Sequence, residues 1–174
     1  VRDLTGALAE EHELLCLRPM AGSEKSGYAH SDAALFRGAP LLLTPTARTG
    51  DHALAFAEFL RKALGCGNMP SVPADKHDAL IADLSHLPHV VALAVRAVGS
   101  SHDTYAGGSY RSVTRVADIN APLWAGLLTD NAEYLLESIG KFRAQLDALE
   151  AAIKSRDAAA LEALLRRISA REVS

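Results

Sequence analysis

The chain has 174 residues, is 49% hydrophobic and 22% charged, and carries a formal net charge of −3. That is enough for one domain, or one and a half, around a buried core, and it excludes a disordered chain. An acidic balance with no basic stripe excludes nucleic acid as an expected partner, and apolar runs as short as residues 90–95 exclude an expected membrane span.

The two cysteines, Cys16 and Cys66, lack metal-type spacing and suit reduced thiols. The first residues show no basic segment followed by an apolar core. Both features lead us to expect a cytoplasmic protein. Val1-Arg2-Asp3-Leu4-Thr5 reads as the end of a strand rather than the start of a domain.

Three short apolar runs follow. Leu14-Leu15-Cys16-Leu17 stops at Arg18-Pro19, Pro40-Leu41-Leu42-Leu43-Thr44-Pro45 is the second, and Asn68-Met69-Pro70-Ser71-Val72-Pro73 is a weaker third. Runs of this length closed by proline read as buried strands, although pattern alone leaves helix open. Between the second and third, Leu54, Ala57, Phe59, Leu60 and Leu64 fall at helical spacing over residues 51–64. Thr49 or Asp51 is the expected cap and Gly65 the stop. Strand, helix, strand is the grammar of a sheet with a helix on its face.

From residue 74 the texture changes to helix. Residues 74–98 form one apolar helix interrupted by Ser85-His86-Leu87-Pro88-His89. A proline inside a helix removes a donor and clashes with the carbonyl four residues back, at a cost of about 3 kcal/mol, so a kink is predicted. Residues 99–109 read as a Gly/Ser loop and 111–117 as a short helix. Pro122 behind Asn120 opens the next helix. Thr129 or Asp130 is the expected cap of a long helix reaching about residue 153. Its Leu135, Ile139, Phe142, Leu146, Leu149 and Ile153 alternate in steps of four and three, a narrow seam for one partner helix. Asp157 caps a last helix with Leu161, Leu164, Leu165 and Ile168 on one side. The expected architecture is mainly α with a small α/β N-terminal part, divided into residues 1–72 and 73–174.

Three stretches can carry chemistry. The polar loop of residues 18–27 directly follows a strand, where α/β proteins place ligands. His86 and His89, three apart, project from nearly one helix face. Arg111 and Arg115 lie four apart after a glycine loop, and arginine grips carboxylates with paired hydrogen bonds. A kinked core helix with satisfied histidines, a surface loop and a solvated charge pair would give the same patterns. A metal shared by His86, His89 and Asp78 or Asp83 lacks a third ligand at set spacing, so no metal is expected. No Gly-x-Gly-x-x-Gly follows a strand, and Gly65-Cys66-Gly67 ends a helix rather than opening one.

Together these segments resemble the prephenate dehydrogenase family, which includes arogenate and cyclohexadienyl dehydrogenases. The likeness rests on Pro-Met-Ala-Gly-Ser-Glu-Lys-Ser-Gly at 19–27, Leu-Phe-Arg-Gly-Ala-Pro at 35–40, Leu-Thr-Pro at 43–45, Ser-His-Leu-Pro-His at 85–89, and Thr-Arg at 114–115 followed by Trp124. It implies oxidative decarboxylation of prephenate or arogenate with NAD or NADP, in tyrosine biosynthesis. It also implies that residues 1–72 are the tail of a nucleotide-binding domain and residues 73–174 a helical substrate-binding and dimerisation domain. By resemblance, Arg115 binds the substrate carboxylate, His89 is the site histidine with His86 and Ser85 beside it, and Glu24 orders the loop. Gly107, Gly108 and Tyr110 approach substrate from the glycine loop, including from a partner subunit, while Pro19, Met20 and Gly22 face the cofactor.

Two departures shape the expectation. The family motif begins His-Pro, and that histidine polarises the substrate hydroxyl; here the position is Arg18, which donates hydrogen bonds but cannot accept a proton. The family's glycine-rich first half of the nucleotide-binding domain is also lacking. Hydride transfer needs the cofactor held against the substrate, so this chain alone is expected to bind no cofactor tightly and to turn over nothing. The competing reading is a catalytically silent relative that binds or dimerises. The apolar helices exceed what one small layer covers, so a homodimer is expected.

Overall fold

A computed structural model of the protein describes residues 12–23, 27–99 and 104–170. Residues 1–5 and Glu24 therefore lie outside the described residues. Strand β1 (Leu15–Pro19) pairs antiparallel with β2 (Leu41–Pro45), Leu17 facing Leu43. The third apolar run lies parallel to β2 through one isolated bridge, Leu43 to Ser71. Leu41 N donates to Asn68 O (3.0 Å), Leu43 N to Pro70 O (3.0 Å) and Val72 N to Leu43 O (2.8 Å). So β2 is flanked on both edges, and Leu41, Leu42, Leu43 and Thr44 are all buried. A strand covered this way reads as a continuous apolar run rather than an alternating one.

Helix α1 (Asp51–Ala63) crosses between β2 and the third run. Neither expected cap serves it. Thr49 Oγ1 is turned to Leu14 O (2.7 Å) and receives Thr46 N (2.8 Å), tying the loop to the entry of β1. The first turn is served from a distance, with Ala53 N donating to Glu13 Oε2 (2.8 Å). Glu13 precedes the helix by two strands and their loops, so no local signal shows it. Gly65 stops the helix as expected, with φ at +68°, a left-handed conformation that glycine adopts without strain.

Helix α2 (Ala74–Ile81) passes through a π-helical turn (Ala82–His86) into α3 (Leu87–Gly99). The distortion predicted at Pro88 thus appears ahead of it, as a widened turn in which Leu87 N donates to Ala82 O. A π turn keeps the helical path while accommodating a proline that has no N–H to give. Helix α4 (Gly108–Thr114) runs into a 3₁₀ turn (Arg115–Ala117), which packs against α3. The Arg96 guanidinium fastens them, donating to Asp118 Oδ1 (2.6 Å) and to Thr114 O (2.9 Å).

Helix α5 (Ala121–Asp130) opens around Pro122 as the sequence predicts, and Asn120 caps it, Leu123 N donating to Asn120 Oδ1 (3.2 Å). Helix α6 (Ala132–Ser155) begins later than expected. Thr129 and Asp130 close α5 instead, and Thr129 Oγ1 bonds back to Ala125 O (2.8 Å). Asp157 caps α7 (Ala158–Ser169), receiving the amides of Ala159 and Ala160 (3.0 Å each).

By length and composition the run Ala74–Gly99, 26 residues, could cross a membrane, which the short apolar runs of the sequence understate. A helix of a globular core passes the same test. This one carries Arg96 in its ion pair with Asp118 and packs through its π turn against α6.

Candidate active site

The loop after β1, the π turn and the segment from the 3₁₀ turn into α5 surround a cavity of about 780 Å³. Arg18, at the end of β1, lies on one side, with Pro19, Met20 and Gly22 following it. Ser85, His86 and His89 face them from the π turn and the start of α3. Arg115 and Trp124 complete the lining. Residues from three separated stretches of sequence therefore meet at one opening.

The two histidines are held differently. His89 Nδ1 lies 2.7 Å from Ser85 O, and a carbonyl only accepts, so the ring proton sits on Nδ1. Its ring stacks on Trp124 at 3.8 Å between centroids and an interplanar angle of 30°. His86 is 3% exposed and meets Trp124 edge-on at 6.1 Å and 78°. Its Nδ1 faces Asn131 Nδ2 at 3.3 Å, and its buried Nε2 has no hydrogen-bond partner among the described residues.

The charges follow from burial. The His86 imidazole is pushed below its usual pKa, first by burial, then by the positive Arg18 and by His89, with Asp78 opposing. The ring is therefore held neutral. Burial also lowers the Arg18 guanidinium, which the Asp78 carboxylate partly offsets. No cluster of three metal-ligating side chains occurs among the described residues. Asp83 accepts from Ser138 Oγ (2.6 Å), and Asp78 Oδ1 lies 2.7 Å from His77 Nδ1.

Gly107, Gly108 and Tyr110 do not line this cavity. Tyr110 lies over Gly99, where a Cβ would come within 2.5 Å of its ring, and its hydroxyl lies 3.5 Å from Arg96 O. Glu24 is outside the described residues. Asn131 was not singled out in the sequence. Its one signal is an Asn just ahead of Ala-Glu at a helix start, and Thr129 and Asp130 drew the capping role away from it.

Fold and site define a small α/β unit joined to a helical one, with a cleft that combines guanidinium groups and histidines. Residues 73–167 match the family described as prephenate dehydrogenase, dimerization domain, and residues 1–67 its nucleotide-binding domain. The chain belongs to the prephenate dehydrogenase family. It is similar to cyclohexadienyl dehydrogenase of Zymomonas mobilis subsp. mobilis, 34% identical over 84% of this chain and 52% of the relative. It is also similar to prephenate dehydrogenase of Bacillus subtilis, 29% identical over 87% of this chain and 42% of that one. Among solved structures, prephenate dehydrogenase from A. aeolicus in complex with hydroxyphenyl propionate and NAD+ superposes with a TM-score of 0.82, at 27% identity, over 97% of this chain and 60% of that one. Synechocystis arogenate dehydrogenase gives 0.71 at 28% identity, over 90% and 59%. The chain spans about half the length of the curated relatives it matches.

Proposed function

We propose that the cleft binds prephenate, and that this chain is the substrate-binding and dimerisation portion of an NAD-dependent dehydrogenase that converts it to 4-hydroxyphenylpyruvate. Residues 1–72 then belong to the nucleotide-binding domain and 73–174 to the helical domain. The observation that carries the reading is the meeting of Arg115 and His89 at one cavity, with Trp124 stacked behind the imidazole.

The reaction takes a hydride from the carbon bearing the ring hydroxyl and a proton from that hydroxyl. Carbon dioxide leaves, its bonding pair completes the aromatic ring, and the proton returns from the base to the phenolate oxygen, so no net proton is released. Arg115 holds the substrate carboxylate by charge-assisted hydrogen bonds. His89, protonated on Nδ1 by its bond to Ser85 O, keeps a lone pair on Nε2 and can take the hydroxyl proton. That assignment gives the proton an acceptor at a site where Arg18 offers none. Pro19, Met20 and Gly22, lining the cavity after β1, fit the nicotinamide side of a cofactor site, and the described residues include no glycine-rich phosphate turn. NAD, when bound, supplies the hydride acceptor.

Arogenate, which carries an amino group in place of the side-chain keto group, is the alternative substrate. Arg18 favours a second reading, a silent relative that binds the ring acid without turning it over. Calorimetric titration with 4-hydroxyphenylpyruvate tests the common core of both. The wild-type chain is expected to bind, and Arg115→Ala to weaken binding roughly 10- to 100-fold, the worth of a hydrogen bond to a charged group. No binding by the wild type, or equal affinity in the variant, would overturn the reading. Turnover of prephenate by the natural protein carrying Arg18 would remove the silent alternative.

A further inference from the structure

The two cleft histidines sit three residues apart on one helix, yet their hydrogen bonds are of opposite sense. We infer that Asn131 is a positioning residue that holds His86 in the tautomer protonated on Nε2, so that the histidine pair presents one ring donor and one ring acceptor. The inference rests on the cleft being a ligand site and adds what the second histidine offers there.

The argument starts from Asp78 O. A backbone carbonyl only accepts, so the atom of the Asn131 amide lying 2.8 Å from it must be the nitrogen. That same nitrogen lies 3.3 Å from His86 Nδ1. Its first hydrogen goes to Asp78 O, and its second points to the ring, where Nδ1 must receive it. A neutral imidazole with an accepting Nδ1 carries its proton on Nε2.

Nothing else can set this proton arrangement among the described residues, because Nε2 is buried and has no partner there. The titratable groups facing the ring are Arg18 from β1, His89 from α3 and Asp78 from α2; burial and the Arg18 cation outweigh the carboxylate and keep the ring neutral. His89 is the mirror case, with its proton on Nδ1 and a lone pair on Nε2. Asn131 itself is fixed by the fold, since it stands in the tight junction between α5 and α6. A buried N–H without a partner costs free energy unless a ligand supplies one. The ligand class that fits is an oxygen acceptor, a hydroxyl or carboxylate oxygen of a ring acid, met by His86 Nε2–H.

The test is the tautomer itself, read from the ring ¹⁵N resonances of the full ¹⁵N-labelled chain at a pH where the rings are neutral. In the wild type, His86 should show a protonated Nε2 and a bare Nδ1, and His89 the reverse. Asn131→Asp replaces the donor by an acceptor and should move the His86 proton to Nδ1, leaving His89 unchanged. Should that variant not fold, Asn131→Ala is read instead, and His86 should become a mixture of tautomers. A protonated Nδ1 on wild-type His86, or a His86 pattern unchanged by either substitution, would overturn the inference. Affinity for hydroxyphenyl propionate gives the functional arm. Asn131→Asp should lose roughly tenfold, and His86→Gln, whose amide can donate from nearly the same place, should retain most of it. Equal losses in both variants would also overturn it. If hydroxyphenyl propionate does not bind the wild type, the functional proposal fails while the tautomer result stands or falls on its own spectrum.

Discussion

The two halves of α6 are built from one apolar repeat and do different work. In the first half, Leu135 is 6% exposed and Ser138 3%, with Ser138 bonded to Asp83 of the π turn. In the second half, Leu146 is 51% exposed and Ile153 61%, although the spacing is unchanged. Helix α7 packs against α6 yet leaves Leu165 and Ile168 half-exposed as well. The same pattern in sequence thus means core at one end and uncovered surface at the other. Apolar strips of this kind mark interfaces. The first half steadies the cleft, and we expect the second to meet another copy of the chain.

The largest effect should fall on the covered half. Leu135→Ala should cost about 2–5 kcal/mol of stability, the range for emptying a packed leucine site, measured by denaturant titration. Leu146→Ala should stay within about 0.5 kcal/mol at concentrations where the chain is a monomer. The contrast reverses for association. Leu146→Asp with Ile153→Asp should give a monomer by sedimentation while the cleft still binds 4-hydroxyphenylpyruvate. Equal stability losses at Leu135 and Leu146 would abolish the distinction between the halves. A smaller effect is expected at Ser138. Its hydroxyl donates to Asp83 Oδ1 at 2.6 Å, linking α6 to the π turn. Ser138→Ala should cost about 1 kcal/mol, with Ser138→Thr keeping the donor but crowding a buried site. A neutral result for Ser138→Ala would detach the helix from the cleft's support.

This contrast also explains what the sequence could reveal. The buried runs around β2, the stop at Gly65, the helix opening at Pro122 and the cap at Asp157 were legible because each depends on neighbours in the chain. The caps at the starts of α1 and α6 were not. The first is served by Glu13, which precedes both strands. The second was misread because Asn131 spends its side chain on Asp78 and His86 rather than on its own helix. Pro88 announced a distortion, but the choice of a π turn over a break depends on what packs around it. At the site, His86, His89 and Arg115 could be picked out by residue type. Their convergence with Arg18 and Trp124 is a tertiary fact, and the Asn131 contact is invisible without it.

The π turn beside the covered half carries a pH-sensitive group. His86 has a pKa below its ordinary 6.5 because it is buried and faces Arg18. The unfolded chain therefore binds this proton more readily than the folded one, and stability rises with pH across that window. The sign is that of a neutral buried base: its contribution is whole above about pH 6.5 and declines as pH falls through 6.5 toward the lowered folded value. His86→Gln should flatten this part of the curve. Glu58, held down to about 2 by Arg61, acts in the same direction but only below its ordinary 4.5, so the two windows separate. Melting measured from pH 7.5 to 5 should show a decline in the wild type and a shallower one in His86→Gln. Identical profiles would mean that charging His86 costs the fold nothing, and the ring would then have to be open to water rather than sealed behind α6.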